Sequence, residues 1–332
     1  MNQAKVGMVL HVSCAALLIV GLSGPLAAAD MPDTISLPKG GNYGSTTFFD
    51  GFGRTEEGFT LLEYGRYENL NSINDSQGNP SPLFDGTHIS VYVLLTQLSY
   101  ASDWHPFGGD AVGFSAAIPL IDASSSFADN SPVKLSNNGF GIGDLVWGPI
   151  YQSKLYMRDG AAYFAWRAQL IILSPTGSVD EAHGINQGAG YWAVNPYVTF
   201  TYLPVAKVEI SNRFNYQYNL QGSKFSSPPP IPGLQYISGQ AGQMVYDNFD
   251  ASFALLPGRF LGINGYVVEQ LNPDKTNGQT VANSLVKALY LGPGGRIVFP
   301  NKDSLNLNLY LKLISKDDTS GTKVSFQYIH RF

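Results

Sequence analysis

Apolar and polar residues alternate through much of the chain beyond residue 58. In "SLNLNLYLKL" (304–313), leucines fall at every second position from Leu305 to Leu313, with Asn306, Asn308, Tyr310 and Lys312 between them. An extended strand with that spacing has one apolar face and one wet face. The next run repeats it: Val324, Phe326, Tyr328 and Phe332 share one parity, and Lys323, Ser325, Gln327 and Arg331 the other. Residues 316–321 read as a polar hairpin loop between the two. In water the apolar face would be the core of a β-sandwich. In a bilayer it would face lipid around a closed barrel.

Twelve strands are expected by the same reading, at 58–68, 88–100, 110–120, 140–152, 161–173, 188–203, 205–219, 241–256, 259–271, 285–299, 303–315 and 322–332. The odd-numbered connections are mostly long and polar, near 69–87, 121–139, 174–187, 220–240 and 272–284, while several even-numbered ones shrink to Pro204, to Pro257-Gly258 and to residues 300–302. A sandwich has no reason to sort its loops by parity. A bacterial outer-membrane barrel has short periplasmic turns and long outer loops, an even strand count and no unpaired edge in lipid. The expectation is therefore an all-β protein, a transmembrane antiparallel β-barrel of about 12 strands over 58–332.

The N-terminus agrees with that destination. Lys5 precedes the apolar run 8–22, and the small residues Ala27, Ala28 and Ala29 follow, as in a secretory signal cleaved before Asp30. The one cysteine, Cys14, leaves with the signal, so no disulfide contributes to stability. Loss of Lys5 takes the formal net charge from −5 to about −6, with no basic patch, which argues against nucleic acid as a partner. Residues 30–57 are too irregular for a strand yet carry Phe48, Phe49 and Phe52. They are expected to act as a plug inside the barrel or as a periplasmic tail. Tyr328 and Phe332 suit the aromatic girdle at the membrane interface.

Motifs for chemistry are weak. Gly113–Ala117 lacks the last glycine of a nucleophile elbow and reads as strand. The histidines His11, His88, His105, His183 and His330 have no metal-ligand spacing. His330 has no assignable serine partner for a lipase-like site. No catalytic residue, metal or cofactor is expected, and the protein is not read as an enzyme.

Inward-facing groups are more informative. The polar set is Arg167, Gln169, Asn195, Lys207, Glu209, Arg213, Asp250 and Asn264, and the aromatic set is Tyr191, Tyr197, Tyr246, Tyr266 and Tyr310. Such charges either pair as a structural network filling the barrel or select what passes, and the two roles are compatible. A 12-stranded lumen is narrow, more so if residues 30–57 enter it. Tyrosines offer flat apolar faces with a polar tip, suited to small aromatic or hydrophobic solutes.

At "GIGDLVWGPI" (141–150), "LIILSPTGSVD" (170–180), "GYWAVNPYVTFTYLP" (190–204), "GYVVEQLNPDKTNGQ" (265–279) and "LYLGPGG" (289–295), the chain resembles the outer-membrane transporter-like family named after the meta pathway of phenol degradation. "LPKGGNYGSTTFFDGFG" (37–53) resembles the segment preceding that family's first strand. The resemblance implies a porin-like β-barrel handling aromatic or other hydrophobic compounds, without established catalytic residues. The C-terminal strand ending at Phe332 also resembles the signal read by the barrel assembly machinery, with His330 departing from the usual apolar choice. The expected function is passive uptake of small hydrophobic or aromatic compounds across the outer membrane. A general narrow diffusion pore, an adhesive barrel presenting the Pro-rich "SKFSSPPPIPG" (223–233) and an outer-membrane lipase are the alternatives.

Overall fold

The computed structural model describes residues 37–38, 40–224 and 236–332. The expected signal peptide, and the Pro-rich stretch from residue 225 onward, lie outside the described residues.

Twelve long strands carry the fold: β1 (Gly58–Ile73), β2 (His88–Ala101), β3 (Ala111–Ser126), β4 (Leu145–Gln152), β5 (Ala161–Ser174), β6 (Ala193–Val205), β7 (Val208–Asn219), β8 (Met244–Leu256), β9 (Arg259–Gln270), β10 (Lys287–Val298), β11 (Ser304–Lys316) and β12 (Thr319–Arg331). Each pairs antiparallel with its neighbours in sequence. β12 pairs with β1 from Thr60↔Arg331 to Ile73↔Thr319, which closes the barrel. A closed ladder satisfies every strand's backbone groups internally, as lipid demands. The described residues contain no helix.

Alternation along each strand produces an inside-out distribution. Thr199, Thr201, Glu209, Asn215, Gln217, Asn264 and Asn306 are fully buried in the interior. Ile118, Val198, Phe214, Leu261, Ile263, Leu307 and Val324 project outward and are about half exposed. So large an apolar belt has no place in water and is the lipid-facing surface of a membrane barrel. Gly65 sits in that belt opposite Phe326, whose ring lies across it so closely that a Cβ would fall 2.1 Å from the ring. The aromatic covers the gap that the glycine leaves.

Four expected details are corrected. The fourth strand is interrupted: Phe140–Ile142 pairs with β3 and the chain resumes as β4 at Leu145. The sixth strand starts at Ala193 rather than 188, because residues 175–192 form a loop folded over the barrel end, pinned where Asp144 accepts from the N–H groups of Gly177 (3.0 Å) and Ala189 (2.7 Å). The hairpin loop expected at 316–321 contracts to Asp317-Asp318. Finally, Lys312 does not join the inward row. β11 pairs Leu289↔Ile314 but Tyr290↔Lys312, so Leu313 is an extra residue. This bulge flips the parity and leaves 311–314 exposed.

The segment before β1 runs through the lumen from the loop end to the turn end. Leu37 packs near Val268, Val286 and Tyr191, and Tyr43 lies edge-on to Tyr246 at 5.0 Å. Further along, Phe48 is 1% exposed, and Arg54 donates to the carbonyls of Phe332 (2.7 Å) and Phe59 (3.1 Å) at the other end. An irregular backbone at membrane depth must have its polar groups satisfied by the wall. The wall obliges step by step. The Gly44 N–H donates to Asn248 (3.1 Å) and the Gly44 carbonyl accepts from Tyr310 (2.7 Å). The Phe48 carbonyl accepts from Arg296 (3.1 Å) and the Phe49 N–H donates to Glu209 (2.9 Å). The Gly51 N–H donates to Thr201 (2.8 Å), and its carbonyl accepts from Gln152 (3.0 Å).

Candidate functional site

The inner segment bonds mainly to the β6–β11 wall, and the space it leaves lies mainly along β1–β5 at the turn end and between β1–β2 and β9–β10 at the loop end. Two cavities occupy that space. A turn-end cavity of about 140 Å³ lies between the segment and inward side chains such as Leu62, Tyr64, Val93, Gln97 and Gln169. A loop-end cavity of about 250 Å³ is walled by Leu70, Ile89, Val91, Ile185, Val268 and Tyr266. Arg66 on β1 lines both and stands between them. Its guanidinium lies 2.7 Å from Glu68 and reaches toward the Gly41 carbonyl (3.4 Å), so β1 and the inner segment face each other here. Glu68 is also 3.5 Å from Lys323, whose ammonium sits 4.6 Å above the Tyr290 ring. Asp318, in the β11–β12 turn at the loop end, has its carboxyl pushed above the ordinary range by burial, with Lys323 pulling the other way.

The turn-end cavity is organised by Asp50. Arg213 meets this carboxylate with two nitrogens, Nε–Oδ2 at 2.7 Å and Nη2–Oδ1 at 2.8 Å, and Arg167 Nη2 approaches Oδ1 at 2.8 Å. The Thr199 hydroxyl adds a fourth bond to Oδ2 at 2.8 Å. Arg167 Nε donates to the Tyr197 hydroxyl (3.1 Å), which donates to Gln169 (2.7 Å), whose amide donates to Ser115 (2.7 Å). Arg213 lies 4.0 Å over the Tyr197 ring. Bidentate, ring-stacked guanidinium is well ordered, so this cluster both anchors the inner segment and fixes the cavity wall.

The residues expected to face inward divide by where the inner segment runs. Arg167, Gln169, Tyr197 and Arg213 line the turn-end cavity, and Tyr266 the loop-end one. Glu209, Asp250 and Asn264 are buried inside the barrel. Glu209 bonds the inner segment and Ser252 (2.6 Å). Asn195 accepts from the Tyr246 hydroxyl (2.8 Å). Tyr246 and Tyr310 are buried with Tyr266 and Tyr290 on the side the inner segment covers. Tyr191 belongs to the loop before β6 and packs with Leu173 and Ala189. Lys207 is a correction. It sits exposed in the two-residue turn between β6 and β7, because those strands end and begin at Val205 and Val208.

Sequence reasoning missed Asp50, Arg66 and Glu68, and placed Lys323 on the wet face of its strand without naming it among the site residues. Arg66 and Glu68 occupy the inward parity of β1 and were readable by alternation. Asp50 had a fainter signal, one acid amid phenylalanines and glycines in "FFDGFG" (48–53).

Outside the barrel, His330 and Tyr328 both bond Asp303, at 2.8 and 2.6 Å. This clasps the β10–β11 turn to the end of β12. The hydroxyl of Tyr328 holds the Asp303 carboxyl below its ordinary range.

Comparison with known proteins places this geometry. Residues 70–328 match the model of a family described as "Putative MetA-pathway of phenol degradation". An outer membrane channel from Pseudomonas putida F1 superposes with a TM-score of 0.71 at 14% identity, covering 86% of this chain and 100% of that one. That likeness establishes the outer-membrane barrel fold. The β domain of the Bordetella autotransporter Brka matches with a TM-score of 0.46 at 11% identity, over 83% of this chain and 100% of its own. The translocator domain of the autotransporter NalP from Neisseria meningitidis gives 0.44 at 12% identity, over 85% and 90%. No curated protein matches the sequence.

Proposed function

The chain belongs to the phenol-degradation family whose model it matches over residues 70–328, and we propose that it is a narrow channel for passive passage of small hydrophobic or aromatic compounds across the bacterial outer membrane. The observation that carries this reading is the pair of cavities, one at each end of the lumen, that share Arg66 in their lining beside the inner segment. A solute entering at the loop end would meet aliphatic side chains and Tyr266 beside the Glu68–Lys323 pair, then Arg66, then the mixed wall below. Flat, mostly apolar molecules suit such a route, because desolvating a sugar's hydroxyls without matched partners is costly. Insertion would follow secretion under a cleaved signal and recognition of the C-terminal strand by the barrel assembly machinery, with outer-membrane lipid around the apolar belt.

The test compares uptake of phenol and toluene with that of glucose and alanine, in cells with and without the protein. Gains confined to the aromatic solutes are expected. Equal gains for all four would make the protein a general diffusion pore.

A further inference from the structure

We infer that the turn-end cavity is a binding site for a small carboxylate with an apolar body, such as an aromatic acid, and that it makes the route anion-selective. The charges lining it are unequal, with Arg54, Arg167, Arg213 and Arg331 against Asp50 alone, while Arg66 is paired with Glu68 toward the loop end. Asp50 is already saturated by three guanidinium contacts and the Thr199 hydroxyl. Two cations on one carboxylate leave a positive charge in a confined, partly apolar space. An anion arriving from the lumen balances that charge at least desolvation cost.

The rest of the wall defines the body of the ligand. Leu62, Val93 and Leu95 line the cavity from β1 and β2, beside Tyr64, Gln97 and Ser99, and Arg167 and Arg213 line it from β5 and β7. The two guanidinium groups on Asp50 and the leucine and valine side chains therefore belong to different strands, as an amphipathic anion requires. The volume of about 140 Å³ is close to the roughly 150 Å³ of an engineered apolar cavity that admits benzene. Acids do occur at the other end of the route. Glu68, Asp75, Asp317 and Asp318 line the loop-end cavity with Arg66 and Lys323. Selection is assigned to the turn-end cavity, because at the loop end Glu68 is paired with both Arg66 and Lys323 and burial favours the neutral form of Asp318.

The inference rests on the channel reading for its transport consequence, but binding can be read without transport. The full mature chain in detergent is titrated with benzoate by calorimetry, with toluene and acetate as controls. It is then placed in planar bilayers under a potassium chloride gradient. Benzoate should bind more tightly than either control, and the reversal potential should show chloride preferred over potassium. Arg167→Gln leaves the bidentate Arg213–Asp50 pair neutral, so it should weaken benzoate binding about tenfold and bring the permeability ratio toward one. Asp50→Asn enlarges the surplus and should move the ratio the other way. A purely structural role for the cluster would loosen the inner segment in both variants and shift both in the same direction. That result, or a wild type that prefers potassium or binds benzoate no better than toluene, overturns the inference. Aromatic uptake exceeding sugar uptake would meanwhile leave the channel reading standing.

Discussion

At the residue scale the inner segment depends on its glycines, Gly44 among them. Gly44 has φ of +78°, a region costly for other residues, and a Cβ there would lie 2.7 Å from Tyr266 and 2.9 Å from Tyr310. Both rings are buried and packed against each other at 5.2 Å, so neither can yield cheaply. Gly44→Ala should therefore destabilise the docked segment by about 1–3 kcal/mol, visible as a lower temperature for loss of the heat-modifiable folded band. Gly139→Ala is the control, since it has a comparable φ of +67° with nothing within 4 Å. Equal losses in the two variants would mean that the segment shifts aside without resistance.

At the element scale, what separates this barrel from a soluble sandwich is the environment of the outward row on β11. Leu307 is 49% exposed, pairs with Phe326 and Gly295, and belongs to the apolar belt. In water Leu307→Arg would replace an exposed apolar side chain with a charged one and cost almost nothing. In a bilayer it should cost about 2–4 kcal/mol near the midplane, measured as the free energy of folding into lipid vesicles. An unchanged folding free energy would contradict a lipid-facing β11. Strand identity, strand order and face were legible in the sequence because alternation is a local property. The bulge at Leu313 was not, since it shows only in the pairing with Leu289 and Tyr290 on a neighbouring strand. Likewise Tyr246 and Tyr310 read correctly as inward, but alternation carries no information on which part of the lumen another segment fills. Lys207 failed for a simpler reason: parity was extended across a turn where it no longer applies.

At the scale of the whole molecule, the polar interior has two tasks that composition alone does not separate. Part of it hydrogen-bonds the inner segment, as Glu209, Asn248, Arg296 and Tyr310 do. The remainder lines the open β1–β5 side. Deleting residues 40–54 tests that division. The groups that held the segment would then face a water-filled lumen, where Arg167, Arg213 and Glu209 are hydrated rather than stranded, so the barrel should still fold and keep its heat-modifiable migration. The twelve-strand ladder and its closure between β1 and β12 are untouched by the deletion. Conductance in planar bilayers should rise several-fold, and glucose uptake should increase toward that of phenol as the lumen becomes wide and wet. Conductance equal to that of the full-length protein, in a variant that still folds, would show that the inner segment does not limit the route. The narrowing would then have to come from the wall at Arg66.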